Sequence, residues 1–183
     1  MKSLSKSLII SLLLISAIFV FWFFFQRKKI PPELKMPNIM KISSSAFENN
    51  SQIPKKYTCD GENVNPPLEI KDIPEETKSL VLIVEDIDAP RGVFLHWLVF
   101  DIEPSTSAIA EDSVSLGIQG ENDFGTAGYG GPCPPQGTHR YVFKIYALNA
   151  KLNLPSGSKI KEIENLMSNH VLDEAQLIGQ YRK

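Results

Sequence analysis

Hydrophobic and polar positions follow three patterns along this chain. From Leu8 to Phe25 the sequence is uncharged and apolar, broken only by Ser11 and Ser16. At 1.5 Å per residue such a run spans roughly 27 Å, about the thickness of a bilayer core. It is longer than the roughly 7 to 15 apolar residues of a cleaved leader, and it closes on Phe21-Trp-Phe-Phe-Phe25 rather than on small residues. Residues 1–29 are therefore expected to form an uncleaved membrane anchor. Residues 30–38 contain three prolines and read as an extended stalk. From residue 39 to 183 the pattern is that of one globular domain.

Within that domain, 39–43, 68–70, 79–85, 95–101 and 140–148 are short segments rich in Val, Ile, Phe and Tyr, separated by Gly, Pro and Asn clusters. They predict strands. Leu80-Val-Leu-Ile-Val84 is apolar at every position, as a strand covered on both faces would be, whereas Tyr141 to Leu148 mixes apolar and polar positions. The period changes near the C-terminus. Ile160, Ile163, Met167, Val171, Leu172, Ala175 and Ile178 share one face at helical spacing, predicting an amphipathic helix over 158–179 that covers the sheet. Ser158 would cap its start, Glu162 would sit in its first turn and Gly179 would end it. His170 then lies at the surface or boundary and receives no chemistry.

Charge narrows the choice of partners. The first 29 residues carry five basic side chains and no acidic ones, which leaves 14 basic against 21 acidic in the remainder, a net of −7. A domain of that sign does not displace counterions from phosphate backbones, so no nucleic acid partner is expected. Lys2 and Lys6 face Arg27, Lys28 and Lys29 across the apolar run, and the positive-inside rule gives no orientation. The short N-terminal tail and the hydrophobic length favour a single-pass membrane protein with its domain outside the cytoplasm. Cys59 and Cys133 lack CxxC spacing, so they are two isolated thiols or, outside the cytoplasm, one disulfide. Asn49-Asn-Ser51 is a formal glycosylation sequon of low specificity and carries no weight.

Candidate chemistry gathers in two polar clusters set into the strand-like sequence. Asp86 and Asp88 precede Ala89-Pro90; either the aspartates accept backbone N–H groups in a turn, or a carboxylate points into a pocket and orients a donor. His96 and His139 each begin an apolar strand. If those strands are neighbours, both imidazoles converge with Asp86 or Asp88, which would favour the charged ring. Between them, Gly130 and Gly131 allow close backbone approach, and three prolines of Tyr129-Gly-Gly-Pro-Cys-Pro-Pro135 stiffen the loop into a nest for an anion, or simply into a turn. An X-Pro bond in this loop is a place for a cis peptide. Two enzyme readings compete with binding: a hydrolase with Cys133 as nucleophile and His139 as base, or a metal triad of His96, His139 and Asp86. Prolines on both sides of Cys133 supply no helix N-terminus to lower its pKa, and histidines roughly 40 residues apart give no paired metal spacing. Binding without catalysis, metal or cofactor is the expectation.

The Asp-x-Asp-Ala-Pro element at 86–90, His96-Trp97, Gly130-Gly131-Pro132 and His139-Arg140-Tyr141, in that order, resemble the phosphatidylethanolamine-binding protein family, also called Raf kinase inhibitor-like. The similarity runs from about Ile42 to Tyr181, and Tyr57-Thr-Cys-Asp-Gly-Glu-Asn-Val64 with Pro66-Pro67 resembles its bacterial and archaeal branch. The resemblance implies a mainly β fold, a Greek-key antiparallel β-sandwich with peripheral helices. It also implies a small pocket for phosphate-like anions or phosphoryl headgroups, lined by Asp86, Asp88, Ala89, Pro90, His96, Gly130, Gly131, Pro132, His139 and Tyr141. Together with the expected anchor at 1–29, this makes the expected function a membrane-tethered binding protein that modulates a partner protein. The alternative is a kinase or protease inhibitor acting through its surface. Ile87 stands where the family has proline, which would loosen the aspartate turn. The C-terminal helix of animal members, with its pocket tyrosine, has no counterpart after Tyr181.

Overall fold

The computed structural model describes residues 39–113 and 117–183, so the anchor and stalk expectations lie outside the described residues. Among the described residues no helix is long and apolar enough to cross a membrane. Strands β1 (Lys41–Ser43), β3 (Leu68–Lys71) and β6 (Ala108–Ile109) form one sheet in the order β1-β3-β6. A six-stranded sheet contains β2 (Ser51–Gln52), β4 (Ser79–Asp86), β5 (Phe94–Ile102), β7 (Ile118–Gln119), β8 (Thr138–Leu148) and β9 (Val171–Arg182), in the order β2-β9-β8-β4-β5-β7. Each pairing is antiparallel except β2 with β9, which is parallel and corrects the expectation of purely antiparallel sheets.

The apolar run Leu80–Val84 of β4 is covered on both faces, as its composition predicts. Leu80, Leu82 and Val84 pack with Trp97, Tyr141 and Phe143 against Ile42, Leu68, Ile70 and Ile109 of the smaller sheet. Val81 and Ile83 pack with Leu98, Phe100 and Leu148 against Ile163 and Met167 of the helix α1 (Ile160–Met167). Each side chain of this kind contributes about 1.5 to 3 kcal/mol by leaving water.

The C-terminal segment corrects the sequence reading. α1 ends at Met167 after eight residues, a turn follows at 168–170, and the expected helix from Val171 on is β9, paired with β8 from Thr138↔Arg182 to Leu148↔Val171. The apolar positions beyond Met167 satisfy either period, and β8 has a free edge that only a long-range partner can fill. Leu177, Gly179 and Tyr181 are buried in strand alternation. Gly179 ends no helix; a Cβ there would lie 2.4 Å from Ile53 Cγ1, so glycine lets the 47–53 segment pack onto β9. Nor does Ser158 cap α1: its hydroxyl donates to Pro155 O, while the Glu162 carboxylate accepts the Lys159 backbone N–H at 2.9 Å. His170 is half-buried and bonds to Asn149 through its ring.

Cys59 and Cys133 form a disulfide with Cα atoms 5.4 Å apart, closing 74 residues of chain. In the chain-entropy account a loop of that length stabilises the fold by about 4 kcal/mol. No peptide bond among the described residues is cis, so the proline-rich loop is trans throughout.

Candidate functional site

The site forms where β4 and β8 end side by side. Asp86 is in register with Tyr141, and His139, two positions earlier on β8, shares the Tyr141 face. The ring of His139 donates from Nδ1 to Asp86 Oδ2 at 2.7 Å, and both residues are buried, at 6% and 3% exposure. Asp86 Oδ1 accepts the Asp88 N–H at 2.9 Å. One carboxylate therefore closes the turn and orients the imidazole, so the two sequence readings of Asp86 both hold.

A β-bulge delivers the second histidine. Val84 pairs with Trp97 and Glu85 with Leu95, which leaves His96 as the extra residue. Its ring meets Tyr141 edge-on at 5.2 Å between centroids, with Phe94 at 5.2 Å and Phe124 at 5.3 Å. His96 Nδ1 lies 2.6 Å from Gly130 O; a carbonyl only accepts, so Nδ1 carries the proton and Nε2 is left as an acceptor in the neutral ring. Burial pulls the His96 pKa down, opposed more weakly by the Gly130 carbonyl and the Asp86 charge. The expectation that a nearby aspartate makes this ring an imidazolium is thereby corrected for His96.

Tyr141 is fully buried; the Asp86 carboxylate stands near its hydroxyl, but no partner meets it at hydrogen-bonding geometry. Burial first, and then the Asp86 charge, hold its pKa above the ordinary phenol value.

The glycine loop is built otherwise than expected. The Gly130 N–H donates to His96 O at 2.9 Å and the Gly131 N–H to Asn63 Oδ1 at 2.7 Å. Neither amide is free to cradle an anion. The glycines serve close packing instead: a Cβ on Gly131 would come within 2.6 Å of Tyr57 O, and one on Gly130 within 2.4 Å of Phe124. Pro132 is buried, with its carbonyl accepting the Cys59 N–H at 3.1 Å.

Asp88 is also repositioned. Its carboxylate takes Arg140 Nε at 2.8 Å, Nη2 at 2.7 Å and the backbone N–H at 2.9 Å. The Arg140 guanidinium holds the Asp88 carboxyl at about 2, well below the usual carboxylate range. Asp88 staples the turn to β8 and does not line the cavity. With Ile87 N–H bonded to Arg140 O at 3.1 Å, the turn is held at both ends despite the missing proline.

A cavity of about 710 Å³ is lined by Asp86, Ala89, Pro90 and His96 from the expected set; His139 and Tyr141 stand behind Asp86 and His96, and Pro132 is not in its wall. Gly130 and Gly131 line an adjoining cavity of about 290 Å³, which shares Phe124 and Cys133 with the first. Sequence reasoning missed Gly92, Val93, Phe94, Asp123 and Phe124 in the wall, and gave Pro135 only a stiffening role and Arg91 none. Phe94 carried a signal, since it lies two positions before His96 on one strand. Phe124 carried none: it reaches the site because Asn122 Oδ1 accepts the Phe124 and Thr126 N–H groups while Asp123 Oδ2 accepts the Leu95 N–H. At the rim, Val93 and Phe124 are 58% and 48% exposed. Cys133 lines the cavity as half of a disulfide, so it offers no thiolate, and the hydrolase built on Cys133 and His139 is withdrawn.

The family description "Phosphatidylethanolamine-binding protein" matches residues 43–182. The chain belongs to this family. Among its relatives, the UPF0098 protein of Methanothermobacter thermautotrophicus is 46% identical over 150 residues, covering 79% of this chain and 99% of the relative. The UPF0098 protein of Aquifex aeolicus is 48% identical over 153 residues, covering 79% and 90%. A crystal structure of a phosphatidylethanolamine-binding protein homologue from Chlamydia trachomatis superposes with a TM-score of 0.78 at 42% identity, covering 80% of this chain and 99% of that one. Escherichia coli YbcL, described as a new member of the mammalian family, gives 0.74 at 30% identity, covering 79% and 98%. These likenesses place the chain in the bacterial and archaeal part of the phosphatidylethanolamine-binding protein family, whose fold it shares.

Proposed function

We propose that this domain is a non-catalytic binding protein that takes a phosphate-like anion or phosphoryl headgroup in the cavity over Asp86 and His96. The observation that carries the reading is the Tyr141 hydroxyl, fully buried without a partner and ringed by Asp86, His96 and Cys133, each of which lines that cavity. A buried polar group left unmatched costs about 1 to 3 kcal/mol, and such groups persist where a ligand completes them. The donors for an anion are that hydroxyl and Arg91 in the wall, with the His139 ring, oriented by Asp86, beside them. Val93, Phe94 and Phe124 supply an apolar side for the non-phosphoryl part of the ligand.

Residues 1–29 fit a single-pass anchor that keeps the domain at a membrane, with the domain outside the cytoplasm. The Met40 N–H donates to the Asp173 carboxylate, and Asp173 pairs with Ala147, at the far end of β8 from His139. At about 3.4 Å per residue, the backbone position paired with Asp173 lies roughly 27 Å along β8 from His139.

Calorimetric titration of inorganic phosphate and of phosphoethanolamine into wild type and His139→Ala tests the reading. Loss of a charge-assisted bond predicts roughly tenfold or greater weakening in the variant. Equal affinity in the two proteins would move the ligand elsewhere.

A further inference from the structure

We infer that the Cys59–Cys133 disulfide is a thiol–disulfide exchange site that latches the wall of the cavity. Three observations carry it. Both cysteines are exposed, so a dithiol reductant can approach either. Cys133 lines the main cavity and the adjoining one, and Cys59 lines the second. The bond joins two segments that belong to no sheet: the 129–135 loop and the turn following the short 3-10 helix Lys55–Tyr57.

Without the covalent tie, the close packing of Gly131 on Tyr57 and Thr58 and three hydrogen bonds hold the loop to that turn. The Cys59 N–H donates to Pro132 O at 3.1 Å, the Gly131 N–H to Asn63 Oδ1 at 2.7 Å, and the Tyr129 hydroxyl to Tyr57 O at 2.8 Å. The same loop presents Gly130 O, which fixes the His96 tautomer. With the disulfide broken only non-covalent contacts tie this loop to the turn, and a segment outside both sheets opens locally at lower free energy than the strands of the core. Loosening it releases the His96 ring and widens the wall, while the core between the sheets and beneath α1 contains neither cysteine.

The chemistry balances with a dithiol of the oxidoreductase class. One of its thiolates attacks a sulfur of the disulfide, breaking the Cys59–Cys133 bond and forming a mixed disulfide. The second thiolate then displaces the cysteine, so two electrons and two protons pass to Cys59 and Cys133 and the reductant becomes a disulfide.

The test follows hydrogen exchange at the Gly130 and Gly131 amides, with phosphate affinity, in the full chain before and after dithiothreitol and in Cys59→Ser/Cys133→Ser. Reduction should speed exchange of those two amides by about tenfold or more while amides of β4 and β8 keep their protection. Phosphate binding should weaken at least about threefold as the His96 tautomer is released. Unchanged exchange at Gly130 and Gly131 overturns the latch. Loss of protection throughout β4 and β8 also overturns it, because the bond would then be a global staple. Should the double variant fail to fold, reduced wild type decides alone. The affinity arm rests on the phosphate reading and the exchange arm does not: phosphate binding to neither form sinks the ligand, and the two glycine amides still judge the latch.

Discussion

Replacing Tyr141 by Phe separates a ligand-binding hydroxyl from a structural one by the sign of its effect on stability. The ring keeps its edge-on contact with His96 at 5.2 Å and its place in the core, so packing is conserved. What leaves is a buried hydroxyl with no partner. Such a group costs the folded state about 1 to 3 kcal/mol, and the variant should gain about 1 kcal/mol in the absence of ligand. For a domain of this size that raises the midpoint of thermal unfolding by about 2 to 4 °C. Phosphate binding should move the other way, losing one hydrogen bond to a charged group, about 1.5 to 3 kcal/mol, or roughly tenfold to a hundredfold in affinity. Thermal unfolding with and without phosphate reads both quantities in one experiment, because a ligand raises the midpoint by mass action. A variant that is less stable than wild type, or that is protected by phosphate just as well, would refute the reasoning.

Asp86→Asn leaves one carbonyl to serve two accepted bonds and turns an amide donor toward either the His139 or the Asp88 N–H. It should lower stability by about 1 to 3 kcal/mol in urea denaturation, and a loss under about 0.5 kcal/mol would contradict the pairing. Asp88, depressed to about 2 by Arg140, favours the native state above the ordinary carboxylate range, and that contribution is lost as pH falls through about 2. The stability gap between wild type and Asp88→Asn should therefore be full above about pH 4 and shrink in acid, and a gap constant with pH would count against the ion pair. Gly179→Ala drives a methyl to 2.4 Å from Ile53 Cγ1 and 2.9 Å from Phe47 Cε2, and should cost about 1 to 3 kcal/mol by overpacking, read by the same denaturation.

How far the sequence spoke depended on whether a feature was local. The β4 strand announced itself because five consecutive apolar residues have to be covered on both sides, and they are. The grouping of Asp86, His96, His139 and Tyr141 came from the family resemblance, whereas the condition set on the two histidines, neighbouring strands, is not met: β4 lies between β5 and β8, and His96 reaches the site through a bulge from a register slip that no residue type encodes. The β9 strand was misread because helical and strand periods both fit its apolar positions, and what decides between them is the open edge of β8, more than 20 residues away in sequence. The glycine loop was misjudged for a related reason. Flexibility at Gly130 and Gly131 is visible in sequence, whereas the partners that occupy their amides, His96 O and Asn63 Oδ1, lie 34 and 68 residues distant.

An acidic domain can hold an anion when protons and dipoles at the site outweigh net charge, and here nearly every internal donor is already committed. His96 spends its Nδ1–H on Gly130, His139 spends its own on Asp86, and both glycine amides are bonded. Beyond those bonds each ring presents Nε2, a lone pair when neutral and a donor when protonated. The two rings differ in what a proton would meet. On His96 it would be opposed by burial, the largest influence on that ring. On His139 it would form an ion pair with a carboxylate 2.7 Å away, so its charge is compensated inside the protein. Anion binding should therefore depend on the His139 ring more than on the His96 ring. Phosphate affinity measured by calorimetry should fall roughly tenfold or more in His139→Asn and by less in His96→Asn. Equal losses in the two variants would mean that the carboxylate-paired ring is not the one that meets the ligand.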